Sequence, residues 1–488
     1  MKYYLGIDIG TSGTKAVCFD ELGNSLCSKT EEYKIYTPKP GYAEENPLDW
    51  FWATKKAIQF ITQQGYDIAG IGLSGQMHGL VLLDQEDNLL RNSIIWCDNR
   101  AIKETEELEK NLGKIIKECT GNPVVSSFTL AKLLWVKNNE PEQFKKIHKI
   151  MLPKDYVRYM LTGSFTSEFS DASGMQMIDI YQKKYAKPIL DYLNIKEEQL
   201  PKLKESYEIS GYIQKDLAKE LGLSENCFVV GGAGDQAAAA IGNGIVSFGD
   251  ASIVLGSSGV VFSPVTKEQA KHTDLQIFMH AIPNTYHVMG VTNGCGLSYK
   301  WLKEEVIKDK TYSELNLLAE QASPLSNGVI YLPYLNGERT PHMDPYASGT
   351  WIGIRQNTSQ KDLIRSVLEG VSYSLKDCFE LLPRTNYNIH ITGGGAKGDL
   401  WRKILASVLD CNIKRIKQDE GGALGVAILA MVADHIYPSI EDAIQKIIKP
   451  LDVVQPDKEW VECYQKGYDL YQNLYQSLKE FYKKAFKI

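Results

Sequence analysis

Two short turns of one composition, Gly10-Thr11-Ser12-Gly13 and Gly256-Ser257-Ser258-Gly259, could hold the phosphates of a nucleotide. Each follows an apolar run, Ile7-Asp8-Ile9 in the first case and Ile253-Val254-Leu255 in the second, and each leads into another. Glycine lets the backbone come close, and consecutive N–H groups with hydroxyls can surround phosphate oxygens. Either turn alone is an ordinary hairpin signal. As a pair they suit a phosphate chain gripped from two sides. Asp8 has Val254 as its counterpart, so only one side offers a carboxylate for a metal ion.

Three further groups carry chemistry. Phe228-Val229-Val230-Gly231-Gly232-Ala233-Gly234-Asp235-Gln236 reads as a strand, a glycine turn and a helix starting at Asp235. Asp is a favoured helix cap, yet the glycines before it leave room for a substrate at its carboxylate, which suits a general base. Gln76, Met77, His78, Trp96, Asp98, Asn99 and Arg100 interleave hydrogen-bonding groups with apolar surface, as a polyol site requires. Core packing explains Trp96 equally well. The segment Gly393-Gly394-Gly395-Ala396-Lys397-Gly398 matches G-x-G-x-x-G, with Asp419 and Glu420 roughly twenty residues on, as in a dinucleotide fingerprint. A loop packed against adenosine explains it as well, and the late position and the duplicated turns favour that. No G-x-x-x-x-G-K-[ST] occurs, which excludes a Walker-type kinase.

The elements that must position these groups come next. Tyr3 to Ile9, Thr14 to Phe19 and Ser25 to Lys29 read as strands. Asn46 and Pro47 open a helix that Gly65 ends, and Ile68 to Leu73 is a buried strand. The two turns lie 246 residues apart in a chain of 488, which points to a duplicated α/β domain, residues 1–245 and 246–488. Tyr464, Tyr468, Tyr471, Tyr475, Leu478 and Tyr482 fall at helical spacing and predict a helix docked on the core.

Composition narrows the class. Apolar residues make up 43% and charged residues 23%, with net charge −6 and no Lys/Arg-dense block, so neither nucleic acid nor membrane is an expected partner. Nine scattered cysteines without a C-x-x-C spacing predict a reducing compartment. Asp8 interrupts the first apolar run too early for a secretory leader, and no apolar stretch is long enough for a bilayer, so a cytoplasmic protein is expected.

Taken together the segments resemble the FGGY carbohydrate kinases over essentially the whole chain. Asp8 to Gly13 and Gly256 to Gly259 look like the two phosphate loops, and Gly393-Gly394-Gly395 like the adenosine loop. Ser127 to Asn139, with Lys132 and Trp135, and Gly349 to Glu369 are similar to two family patterns. Within the family, Gly75-Gln76-Met77-His78-Gly79, Trp96-Cys97-Asp98-Asn99-Arg100, Leu152 to Tyr156 and Gly337 to His342 are similar to xylulokinase segments. Gln236 stands where xylulokinases often carry Asn.

The resemblance implies an actin-like, ribonuclease-H-like fold with two domains flanking a nucleotide cleft. It implies ATP and Mg²⁺, with Asp235 as base and Asp8 at the magnesium–phosphate assembly. The sugar would meet Met77, His78, Gln76, Trp96, Asp98 and Gln236. ATP would meet Thr11, Ser12, Gly13, Lys15, Gly256, Ser257, Ser258, Gly394, Gly395 and Ala396. D-Xylulose is the expected substrate, with another ketose or polyol as the alternative; whether the chain forms a homodimer stays open. From other classes, an actin-like filament or chaperone ATPase shares the fold and both phosphate loops, and a nicotinamide oxidoreductase could use the glycine loop at 393–398.

Overall fold

The computed structural model describes residues 2–383, 386–417 and 420–486. Asp419, half of the acidic pair expected after the glycine loop, lies outside them. The first sheet holds β1 (Tyr3–Ile9), β2 (Gly13–Asp20), β3 (Ser25–Glu32), β4 (Ile68–Gly75), β5 (Ile209–Tyr212) and β6 (Phe228–Val230). Their order is β5-β6-β4-β1-β2-β3, and Ala233–Gly234 adds a short extension beside β4. Three helices of this half matter to the site: α1 (Pro47–Thr62), α2 (Pro153–Thr162) and α3 (Asp235–Gly242). As expected, α1 begins with the Asn46 side chain accepting from Leu48 N and with Pro47 in its first turn, where proline's missing N–H costs nothing.

The second sheet repeats the first. It contains β7 (Asp250–Leu255), β8 (Gly259–Val265), β9 (Gln276–Met279), β10 (Tyr286–Thr292), β11 (Asn388–Thr392), β12 (Ile413–Ile416) and β13 (Pro450–Val454), in the order β9-β10-β8-β7-β11-β12-β13. In the first sheet β1 is antiparallel to β2 and parallel to β4, β4 is parallel to β6, and β6 is antiparallel to β5. In the second, β7 is antiparallel to β8 and parallel to β11, β11 is parallel to β12, and β12 is antiparallel to β13. Strand directions and neighbours therefore match one for one, with β9 added at an edge. Both Gly-hydroxyl-Ser-Gly turns join equivalent antiparallel strands, so the echo in sequence is an echo in topology. Helices α4 (Gln360–Glu380) and α5 (Asp399–Leu409) pack together in this half.

The packing departs from a simple division at residue 245. Helix α6 (Gly421–Ala433) and helix α7 (Ile440–Ile447) lie late in the chain, yet their apolar residues share a core with Tyr4, Val17 and Phe19 of the first sheet. Helix α6 is apolar on all sides, which only a helix surrounded by protein can be. It lies at backbone distance: a Cβ on Gly6 would fall 1.8 Å from Ala423 O, and one on Gly242 1.8 Å from Gly421 O. Any side chain at these glycines would push α6 off the sheet or off α3. Helix α8 (Lys458–Ala485) docks as its tyrosine stripe predicts, with Tyr464, Tyr468, Tyr471, Tyr475 and Tyr482 all buried. Among the described residues no helix is long and apolar enough to cross a membrane.

Candidate active site

Asp235 stands at the first position of α3, after Gly234 rather than in its place as the cap. One carboxylate oxygen accepts from Gln236 N at 2.6 Å. Burial, and then the negative charge of Asp8, push its carboxyl up to about 7. A carboxylate poised near neutrality is what general-base catalysis needs.

The turn carrying Asp235 is held from below by charge. Lys154 Nζ (3.3 Å) and Arg158 Nη1 (2.6 Å) both donate to the Gly231 carbonyl, and Gly234 N donates to Ser170 Oγ (3.1 Å). Lys154 also lies 3.2 Å from Asp155, 3.4 Å from Glu168 and 3.5 Å from Asp171, every one of these side chains fully buried. Burial raises the Asp171 carboxyl well above the carboxylate range. It works the same way on Asp155, but Lys154 and Arg158 outweigh it and hold that carboxyl low.

Met77 and His78 follow β4 and come to the same place. A Cβ on Gly234 would lie 3.1 Å from both Cγ and Sδ of Met77, so Met77 packs against the residue next to Asp235. His78 has a positive φ of 70°, and its carbonyl accepts from Lys132 Nζ (2.9 Å) and Thr129 Oγ1 (3.1 Å). Its ring stacks on Phe128 with centroids 4.1 Å apart and tilts against Phe278. Burial drives its pKa down to about 3, so the ring is neutral. Nδ1–H then donates to Gly174 O at 2.8 Å, which leaves Nε2 as an acceptor for a hydroxyl.

Four expected sugar ligands have protein partners or places of their own. Asp98 has no side-chain exposure, and its oxygens accept from Ala43 N, Arg100 N and the Arg100 guanidinium. With its lone pairs taken it builds the loop. Gln76 is buried, and its amide contacts Glu45, Gly10 O and Thr11 Oγ1, so it braces the first phosphate loop. Gln236 lines the nucleotide-side cavity described next. Trp96, 39% exposed, donates to Thr11 Oγ1 at 2.9 Å and joins the sugar-side segment to that loop.

A cavity of about 530 Å³ is lined by Gln236, Ala239 and Asn243 of α3, Val254 of β7, Thr392, Gly393, Ala396 and Lys397 of the glycine loop, and Gly421 and Gly422 of α6. Its size falls within the roughly 300–1,000 Å³ of small-molecule sites. The loop's glycines differ in purpose. A Cβ on Gly395 would fall 2.8 Å from Leu255 Cβ, so that glycine serves packing, whereas Gly394 has open space beside it. Ala396 is buried at the cavity wall.

The two Gly-hydroxyl-Ser-Gly turns stand open: Ser12, Ser257 and Ser258 are exposed, Thr11, Gly13 and Gly256 half-buried. Lys15 does not stand free, being ion-paired at 2.5 Å with Glu420 just before α6. Asp8 lies under Gly422, where an added Cβ would sit 3.7 Å from its carboxyl carbon. Burial raises its carboxyl above the usual range, with Ser74 and Lys15 acting the other way. Its Oδ1 is buried without a hydrogen-bond partner, donor chemistry that a hard cation can use.

This geometry agrees with what comparison finds. The N-terminal domain model of the FGGY family of carbohydrate kinases matches residues 3–242, and the C-terminal domain model matches residues 251–433. The chain belongs to the FGGY carbohydrate kinases. It is 37% identical over 484 residues to the xylulose kinase of Staphylococcus epidermidis, covering 98% of this chain and 97% of that protein. The ligand-bound xylulose kinase of Lactobacillus acidophilus superimposes with a TM-score of 0.93 at 29% identity, covering 99% of this chain and 100% of that one. A gluconate kinase from the same organism also reaches a TM-score of 0.93 at 29% identity, covering 99% of each chain. The FGGY fold is the actin-like arrangement of two α/β units; membership of the carbohydrate kinase family, with relatives of that activity along the whole chain, sets aside both the chaperone ATPase and the nicotinamide oxidoreductase.

Several residues of this kinase's site were not legible beforehand. Gly174 and Phe278 reach His78 from distant segments, and nothing in their local sequence marks them. Lys132 lay within a family pattern, but its bond to His78 O is visible only in the fold. The run Gly421-Gly422-Ala423-Leu424-Gly425 did carry a signal, since small residues in an apolar helix mark close packing.

Proposed function

We propose that the protein transfers the γ-phosphoryl group of ATP to the terminal hydroxyl on carbon 5 of D-xylulose, giving D-xylulose 5-phosphate and ADP in the cytoplasm. The observation that carries this is the packing of Met77 on Gly234, which sets the sugar-side pair beside the Asp235 carboxylate. Asp235 takes the proton of the sugar hydroxyl as its oxygen bonds to the γ-phosphorus. The bond from that phosphorus to the bridging oxygen breaks, and ADP carries away the electron pair. His78 Nε2 accepts from a sugar hydroxyl, and Met77 covers the carbon chain.

The turns at Thr11-Ser12-Gly13 and Gly256-Ser257-Ser258 hold the phosphates, and Gly394 and Ala396 face the adenosine. Asp8 would hold Mg²⁺, which would supply positive charge against the transferring phosphoryl group. Closure of the two halves excludes water, which would otherwise compete for the phosphoryl group.

A carboxylate substrate such as gluconate is disfavoured. It would need a fixed cation, and Arg100 is 1% exposed in its side chain and paired with Asp98 and Glu44. The test is ADP release across D-xylulose, D-ribulose, L-ribulose, glycerol and gluconate. D-Xylulose is expected to exceed D-ribulose at least about tenfold in kcat/KM, because a mismatched epimer leaves buried polar groups unpaired. His78→Ala should erode that preference. Equal or better turnover of D-ribulose or of a polyol removes the sugar assignment and leaves the kinase.

The raised Asp235 carboxyl sets a pH dependence. Only the ionised form accepts a proton, so kcat/KM should rise about tenfold per pH unit below about 7 and level off above it. A profile flat through pH 6–8 in the wild-type enzyme would separate Asp235 from the proton transfer.

A further inference from the structure

Glu45 has no part in the site as described, yet it is one of its most deeply placed acids, with 0% exposure. Its Oε2 accepts from Trp50 Nε1 and from Gln76 Nε2, each at 2.7 Å. Oε1 is buried and accepts no hydrogen bond. A half-satisfied buried carboxylate costs stability, so its position calls for a reason beyond packing.

The bonds beyond Gln76 supply one. Gln76 Nε2 also approaches Gly10 O (3.5 Å), its Oε1 accepts from Thr11 Oγ1 (3.4 Å), and its backbone N donates to Ile9 O (2.9 Å). Thr11 Oγ1 in turn accepts from Trp96 Nε1 at 2.9 Å. Trp96 lies shortly after Ser93–Ile94, the strand pair to which Glu44–Glu45 is laddered, with Glu45 opposite Ser93. The contacts form a ring: Glu45 to Gln76, Gln76 to Thr11, Thr11 to Trp96, and back along the chain to Glu45. Within that ring stand a phosphate turn and Gln76, the residue next to Met77.

We propose that Glu45 is a positioning residue: its carboxylate fixes the Gln76 amide, which seats the first phosphate turn in register with the sugar-side segment. Trp50, on α1, donates to the same carboxylate and is its buried packing partner. The proposal rests on the assignment of Gly10 to Gly13 as a phosphate turn. An apolar residue at 45 would leave Gln76 free to rotate, and the turn would lose one of its braces; Tyr33 OH, which donates to Gly10 O, is another.

The test is the affinity of the intact protein for a non-hydrolysable ATP analogue with Mg²⁺, measured calorimetrically, a readout independent of which sugar is used. Glu45→Leu is expected to weaken it roughly tenfold, the scale of leaving one buried hydrogen-bonding group without its partner. Glu45→Gln keeps a carbonyl acceptor and should bind within about threefold of wild type. Trp50→Phe removes the packing donor alone; it should lower the melting temperature while affinity stays within about threefold. If Glu45→Leu does not fold, Gln76→Leu carries the same expected loss. Wild-type affinity in Glu45→Leu overturns the proposal, as does an equal loss in Glu45→Gln or in Trp50→Phe. Turnover of D-xylulose by the wild-type protein, measured alongside, judges the sugar assignment separately. Failure to bind the analogue in the wild type would remove the phosphate-turn assignment and the proposal with it.

Discussion

Replacing Asp235 with asparagine is expected to lower kcat by about 10²–10⁴-fold, the usual worth of a positioned base. Asparagine keeps the size of the side chain and an oxygen for Gln236 N, so the start of α3 should be undisturbed. ATP affinity should stay within a few-fold, because the phosphate turns and the cavity at the glycine loop are separate groups. Steady-state kinetics with a thermal melt separate the outcomes. Near-normal turnover in a folded variant would take Asp235 out of the mechanism. A collapse of the melting temperature would make it a structural residue of α3. The substitution relieves the cost of burying a charge, so an unchanged or slightly higher melting temperature is the expected companion of the lost activity.

The second large effect is on stability. Lys154→Met should cost about 3–5 kcal/mol, the scale for removing one partner of a buried ion pair. Methionine fills similar space but leaves Glu168 without its ion-pair partner and Asp155 with Arg158 alone, while the Gly231 carbonyl loses a donor. An apparent melting temperature lower by on the order of 10 °C is expected. Asp171→Asn is the contrast. Burial already works against the charged form of that carboxyl, so the amide should be tolerated within about 1 kcal/mol. A Lys154→Met protein as stable as the wild type would show that the network does not support the catalytic turn. Equal damage from Asp171→Asn would mean that Asp171 is ionised in the folded protein.

The strands, the duplication and the glycine turns were legible in the sequence because each is a local pattern. Alternating apolar residues, a cap such as Asn46-Pro47 and a Gly-hydroxyl-Ser-Gly turn express their preferences within a few residues. The repeat at 246 residues added the one long-range fact that a single sequence contains without a fold. Where the site differs from expectation, the cause is a partner far along the chain. Asp98 looked available until Ala43 and Arg100 took its oxygens, and Gln76 looked like a sugar ligand until Glu45 and Thr11 took its amide. A division at residue 245 followed from the repeat, but α6 returns to the first sheet because its all-apolar surface must be buried somewhere.

By itself, then, the sequence determined the class of fold, the two phosphate turns and the residues near which phosphoryl transfer would take place, since backbone conformation and residue chemistry are set locally. Tertiary structure alone decided which polar side chains remain free to meet a ligand. It brought Gly174, Phe128 and Phe278 around His78, set Met77 against Gly234, and placed charged groups beneath Gly231. The physical reason is that a hydrogen-bonding group is available for function only when no closer partner satisfies it, and that depends on every segment the fold brings near.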